Sequence, residues 1–234
     1  LGATIVKVEP PEGDPARPLG GLFDALNHGK ECRRIDFKNA DDLAQLRGWV
    51  AASDVIVDSF RPGVMQALGL DYATLSALNP KLVAVSITGY GQQGPWAAKA
   101  GHDVNFMAMS GVLDQVRAPT VEVALSNVQW GYIAGGSSMA CIAILAAVFE
   151  AQRAGKGRAL DVSMAHGLFA HMVMPRATGP LVKSMLGRWP GAGEDMLNGA
   201  LPCYNLYATQ DGRTLAVGAL EYKFWKLACD VFGR

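Results

Sequence analysis

The 234-residue sequence has no excess of charge of either sign, since 21 Lys and Arg side chains offset 21 Asp and Glu. This excludes the one-sided basic footprint of a nucleic-acid-binding domain. Cysteine is scarce, and Cys32, Cys141, Cys203 and Cys229 never fall at Cys-x-x-Cys spacing. That argues against a zinc site or a disulfide framework and predicts a reducing, cytoplasmic location. Ser110 and Ser163 sit in no Gly-x-Ser-x-Gly elbow, so no serine hydrolase is expected. Long apolar runs are also missing. Residues 123–149 carry no charge, yet the first half holds Ser126, Asn127, Gln129, Ser137 and Ser138. Only Met139 to Phe149 is densely apolar, which is too short to span a bilayer, so a buried helix and no membrane contact are expected.

What is present describes a folded chain. Half the residues are hydrophobic and 18% are charged, which excludes disorder. A chain of this length buries roughly 70% of its unfolded surface. Thr4 to Glu9, Asp54 to Asp58, Lys81 to Ile87 and Ala159 to Ser163 read as strands. Helices are predicted over Ala40 to Ala51, after Arg61-Pro62-Gly63, after the cap Asp71, over Met139 to Arg153 and from Met164. This alternation predicts an α/β fold: a Rossmann-like large domain with a mostly parallel sheet over residues 1–175. Pro180, Gly187, Pro190, Gly191, Gly193 and Gly199 crowd residues 176–200, which read as a linker. Cys203 to Ala208 and Thr214 to Gly218, around Gln210-Asp211-Gly212, predict a hairpin. With a helix over Tyr222 to Phe232, residues 201–234 read as the start of a small α+β domain. The chain lacks an initial Met and stops at Gly233-Arg234, so a fragment of a longer protein is expected.

Few residues stand out chemically. His102, in Gly101-His102-Asp103, follows a glycine-rich loop, Gly89-Tyr90-Gly91-Gln92-Gln93-Gly94-Pro95. An imidazole of pKa ~6.5 beside such a loop suits proton transfer. In open α/β sheets, ligands bind at the carboxyl ends of strands, and glycine-rich backbone there can approach a phosphate. The loop is neither a P-loop nor a G-x-G-x-x-G fingerprint. Lys30, Arg33, Arg34 and Lys38 form a basic group around Asp36 that could hold phosphates, or could simply line a solvated strand edge.

Taken in order, these segments resemble a known family. They are Val6-Lys7-Val8-Glu9, Gly29-Lys30 through Lys38, and Ser53-Asp54-Val55 through Phe60-Arg61-Pro62-Gly63-Val64. Next come Leu78 to Leu82, Thr88 to Pro95 and Ala100 to Asn105, then Gly155-Lys156-Gly157, and finally Asp211-Gly212 through Glu221. The ordered set covers nearly the whole chain. It is similar to the family III CoA transferases (CaiB/BaiF type), nearest their alpha-methylacyl-CoA racemase branch.

The resemblance implies an enzyme acting on acyl-CoA thioesters, with coenzyme A as part of the substrate and no separate cofactor or metal. It implies an interlocked dimer, either a homodimer or a heterodimer with a paralogue, whose active site joins a large domain to the partner's small domain. His102 matches the racemase histidine that moves the α-proton, and Glu221 a glutamate that supports it. Gly89, Tyr90 and Gly91, with Lys30, Arg33 and Arg61, are the expected CoA-binding groups. Two departures follow from the same matching. Pro10 stands where some relatives place a CoA-contacting arginine. Tyr132, in Gly131-Tyr132-Ile133, stands where the family has a catalytic aspartate. A phenol of pKa ~10 is a poor nucleophile beside a carboxylate of ~3.9. Three readings therefore stay open: α-proton transfer on a 2-methylacyl-CoA, CoA transfer using a carboxylate such as Asp103, and a catalytically silent CoA-binding or heterodimer subunit.

Overall fold

The computed structural model describes residues 2–116 and 124–233, so the start of the uncharged stretch at Val123 lies outside the described residues. The chain forms two compact units, one from residues 1–86 and 142–160, the other from 87–141 and 161–234.

In the first unit, strands β1 (Val6–Glu9) and β2 (Glu31–Arg34) pair in parallel, with Val6 opposite Glu31. Helix α1 (Gly21–Asn27) lies between them in sequence. Helix α2 (Ala40–Ala51) starts where expected because Asn39 caps it, accepting from the Asp41 and Asp42 N–H groups. Strand β3 (Val55–Asp58) pairs in parallel with β4 (Val83–Thr88). Between them run two short helices, α3 (Val64–Ala67) and α4 (Tyr72–Leu78), the latter capped by Asp71. Leu46 and Val50 of α2, Leu70, Leu75 of α4 and Leu82 form the core, with Val8 and Ile56 of the strands packed against it. The sheet order β3-β4-β5 is completed by β5 (Arg158–Ser163).

The polar anchor of this unit is Glu9, 1% exposed at the end of β1. It accepts from Lys7 Nζ (2.9 Å), Arg17 Nε (2.8 Å) and Nη2 (3.0 Å), and the Asp14 N–H (3.2 Å). Lys7 and Arg17 also lie against the Phe23 ring, at 5.4 and 4.5 Å from its centroid. A buried carboxylate is tolerated only when satisfied in this way. The Arg17 guanidinium, despite burial and aided by Lys7, holds the Glu9 carboxyl down at about 2.

The second unit is mainly helical. Helix α5 (Asp103–Ser110) and α6 (Val112–Gln115) precede a π-helix over Gly131–Ser138, which runs into α7 (Met139–Ala154). Helices α8 (Met164–His171) and α9 (Val173–Leu186) follow, then an antiparallel hairpin of β6 (Tyr204–Ala208) and β7 (Thr214–Gly218), then α10 (Tyr222–Val231). Phe106, Met107, Ala165 and Leu168 make the core.

Two expectations need correction. The segment read as a linker from residue 176 is helical to Leu186, with Pro180 inside α9. The Trp189 ring packs on Gly179 and lies under Lys183 Nζ at 4.9 Å, so tertiary contact overrides the proline. The uncharged stretch also forms a longer helix than its apolar part predicts. Gly131–Ala154 is 24 residues, long and apolar enough by length and composition to cross a membrane, and 22% of its most apolar window is buried. Ile142, Leu145 and Phe149 present an exposed apolar face rather than a buried one.

Candidate active site

His102 is placed by the loop that ends β4. Gly91 has φ +91°, and its N–H donates to Thr88 Oγ1 at 3.0 Å. The Gln92 N–H donates to Asp161 Oδ2 at 2.8 Å. The carbonyl of Gly89 accepts from the Ala165 N–H at 3.0 Å. These bonds fix the glycine-rich loop on the end of β5 and the start of α8. A Cβ on Gly89 would come within 2.4 Å of the Phe106 ring, and one on Gly101 within 2.8 Å of it. Both glycines are needed because the buried Phe106 ring fills that space.

His102 is the N-terminal cap residue of α5 and is exposed. Its backbone N–H donates to Asn105 Oδ1 at 2.9 Å, which fixes the entry into the helix. Its ring Nδ1 lies 3.1 Å from the Tyr132 hydroxyl. The Tyr132 backbone N–H in turn donates to Asp103 Oδ1 at 2.9 Å. A Cβ on Gly131 would fall 2.8 Å from that same carboxylate oxygen, so only glycine lets Asp103 approach. His102, Asp103 and Tyr132, singled out separately in the sequence, are thus one hydrogen-bonded group.

Aromatic rings surround it. Tyr90 meets Phe106 edge-on at 5.3 Å and Trp96 at 5.6 Å, and Tyr132 meets Phe106 at 6.3 Å. The π-helix that carries Tyr132 is held by backbone contact. A Cβ on Gly135 would lie 2.3 Å from the Met164 carbonyl oxygen, and one on Gly167 lies 2.2 Å from that of Gly135. Inserted π-turns concentrate at functional sites, and this one sets where the Tyr132 side chain emerges.

Among the described residues, the other predicted residues make no hydrogen bond to this group. Glu221 is the exposed N-terminal cap residue of α10, and no hydrogen bond joins it to His102 among the described residues. In the first unit, Lys30 Nζ donates to Asn27 Oδ1 at 3.3 Å, and Arg33 pairs with Glu31 along the same strand. Arg61 is exposed, and its guanidinium has no partner among the described residues. Its turn is set by Asp58, which accepts from the Phe60 N–H (3.1 Å) and the Ser86 hydroxyl (2.8 Å), while burial pushes its carboxyl up. Asp58, Thr88, Asn105 and Asp161 were not singled out from sequence. Only Asp161, an acid next to the β5 core residues, carries a faint signal. Among the described residues no three His, Cys, Asp or Glu side chains cluster as a metal site.

Comparison with known proteins gives a consistent result. The model of CoA-transferase family III matches residues 1–234. The chain is 36% identical over 232 residues to an alpha-methylacyl-CoA racemase of Homo sapiens, covering 97% of this chain and 57% of that protein. It is 32% identical over 246 residues to an acetyl-CoA:oxalate CoA-transferase of Acetobacter aceti, covering 100% of this chain and 60% of that protein. The crystal structure of a CAIB/BAIF family protein from Brucella suis superposes with a TM-score of 0.81 at 29% identity, over 100% of this chain and 63% of that one. The chain therefore spans about three fifths of the length of these relatives.

Proposed function

The chain belongs to CoA-transferase family III, and from that premise we propose that the whole protein moves the α-proton of a 2-methylacyl-CoA thioester, with His102 as the base. The thioester carbonyl acidifies the α-hydrogen, and an imidazole can accept it as a general base. The observation that carries this reading is the 3.1 Å contact between His102 Nδ1 and the Tyr132 hydroxyl. A phenol oxygen that accepts from Nδ1–H leaves the Nε2 lone pair free as the base. Backbone donors of the glycine-rich loop other than the Gly91 and Gln92 N–H groups, which Thr88 and Asp161 already engage, are the proposed groups for the enolate oxygen. Arg61, Lys30 and Arg33 are the proposed phosphate ligands, and the working unit is a dimer with itself or a paralogue.

CoA transfer is the second reading, and one observation favours it. Asp103 brings a carboxylate into the site with only Oδ1 engaged by the Tyr132 N–H. That carboxylate would attack the thioester, expel CoA thiolate and form an acyl anhydride. The third reading is a silent CoA-binding subunit, because no carboxylate occupies position 132.

Deuterium exchange into 2-methylacyl-CoA in heavy water tests the first reading. The expected outcome is incorporation that falls about a thousandfold in His102→Ala, within the range for general-base removal. Exchange that survives the substitution would remove His102 from the mechanism. An acyl-enzyme trapped by hydroxylamine on Asp103 would establish transfer instead.

A further inference from the structure

We infer that Asp161 is a positioning residue for His102: its carboxylate holds the far limb of the glycine-rich loop, and Tyr90 of that loop passes the hold on to the imidazole. The inference rests on the proton-transfer reading and adds a residue to it.

Asp161 lies 69 residues from Gln92 in sequence and closes on it in space. The loop is attached at successive points. The Gly89 carbonyl accepts from the Ala165 N–H at 3.0 Å, which fixes the start of the loop. The Gly91 N–H donates to Thr88 Oγ1 at 3.0 Å, a bond inside the turn itself. The Gln92 N–H donates to Asp161 Oδ2 at 2.8 Å, and this bond ties the chain beyond the turn to β5. A charged acceptor makes it the strong member of the set. Gly91 serves the same closure. Its φ is +91°, and a Cβ there would fall 3.4 Å from Asp161 Oδ2 and 3.7 Å from the Ser163 Cβ.

Tyr90 carries the effect to the site. A Cβ on Gly101 would come within 2.9 Å of the Tyr90 hydroxyl oxygen, so the phenol ends against the backbone next to His102. The same ring meets Phe106 edge-on at 5.3 Å. Phe106 in turn meets Tyr132, whose hydroxyl is 3.1 Å from His102 Nδ1. Tyr90 therefore bears on His102 from two sides, on its backbone through Gly101 and on its ring through Phe106 and Tyr132. Close-packed rings transmit a displacement and do not absorb it. Freeing the limb at Gln92 lets Tyr90 shift, and an imidazole misplaced by about 1 Å loses up to about a hundredfold in rate. Asp161 touches no reacting atom in this scheme, and no proton passes through it.

The test uses the full-length protein and two variants, with deuterium entry into a 2-methylacyl-CoA in heavy water as the kinetic readout. Asp161→Ala removes the acceptor, whereas Asp161→Asn keeps a carbonyl oxygen for the Gln92 N–H. Asp161→Ala is expected to lower kcat about thirtyfold with KM within about twofold. Asp161→Asn is expected to bring kcat back to within about threefold of the wild type, with an unchanged pH profile. An unchanged kcat in Asp161→Ala would overturn the inference. So would an asparagine variant as slow as the alanine one, since the charge and not the bond would then matter. Amide hydrogen exchange over residues 88–95, read by mass spectrometry, follows the loop without any turnover. It should be about tenfold faster in Asp161→Ala and close to wild type in Asp161→Asn. Equal protection in all three proteins would overturn the inference whatever the kinetics show. A wild type that takes up no deuterium into the substrate would overturn the proton-transfer reading, and loop protection would still decide whether Asp161 holds the loop.

Discussion

Glu9 and the Gly135–Gly167 contact anchor two regions by opposite means. Around Glu9, charge does the holding: one carboxylate at 1% exposure is matched by Arg17, Lys7 and a backbone N–H. Around His102, the absence of side chains does it. Two glycines let the π-helix and α8 touch through their backbones, and Gly131 admits Asp103. The ionic anchor depends on pH, because a carboxylate that is stabilised in the folded chain must be protonated in acid. The glycine contact has nothing to titrate. A site proposed to move protons is better built on the second kind of support, since its geometry then stays fixed as its own groups change charge.

The largest effect should come from breaking the glycine contact. Gly167→Ala places a Cβ 2.2 Å from the Gly135 carbonyl oxygen, where backbone and not a flexible side chain must move. Overpacking of this kind costs about 3 kcal/mol. Urea unfolding should show that loss, and α-proton exchange should fall with it because the displaced π-helix carries Tyr132. A variant with wild-type stability and exchange would mean that the two backbones are not in contact in solution, and the comparison would fail.

Glu9→Gln should cost somewhat less, about 2 kcal/mol. The pair is buried on the carboxylate side, which raises the penalty. Arg17 and Lys7 retain 41% and 20% exposure, so water compensates part of the lost partner. The pH dependence has a definite sign. Glu9 falls from an ordinary 4.5 to about 2 in the folded chain, so the unfolded chain takes up its proton first. Its stabilisation is complete above pH 4.5 and is lost as pH falls from there towards 2. Unfolding midpoints measured across that window should drop steeply in the wild type and less so in Glu9→Gln. Identical slopes would separate Glu9 from acid sensitivity.

Much of the scaffold was legible in the sequence because its signals are local. Asp71 marks a helix start through its own side chain, and Gln210-Asp211-Gly212 marks the hairpin. Periodicity placed β3 and β4 within a residue or two. The site was legible only in pieces. His102, Asp103 and Tyr132 could each be picked out, yet their single hydrogen-bonded chain depends on the π-turn at Gly131–Ser138. Nothing in Gly-Tyr-Ile-Ala-Gly-Gly-Ser-Ser announces a π-helix; contact with α8 selects it. The same holds for α9, where Pro180 and Gly187 argued for a linker and Trp189, packed on Gly179, supplied the contact that makes a helix. Non-local packing decides both cases, and a sequence does not display it.

The smallest predicted effect sharpens this point with the same substitution in the other region. Gly48 lies inside α2, as Gly167 lies inside α8, and the sequence gives no reason to treat the two differently. The structure does. Gly48 is exposed, and a Cβ there would meet no atom within 4 Å. Its φ is not positive, so alanine adopts the same backbone without strain. Gly48→Ala should therefore stabilise the chain by about 0.5–1 kcal/mol, through the lower conformational entropy of the unfolded state and better helix propensity. A denaturant midpoint shifted upwards, with exchange activity unchanged, is the expected reading. A destabilised variant would reveal a neighbour against the outer face of α2, and would make that glycine a contact residue like Gly167 rather than a point of weak helix propensity.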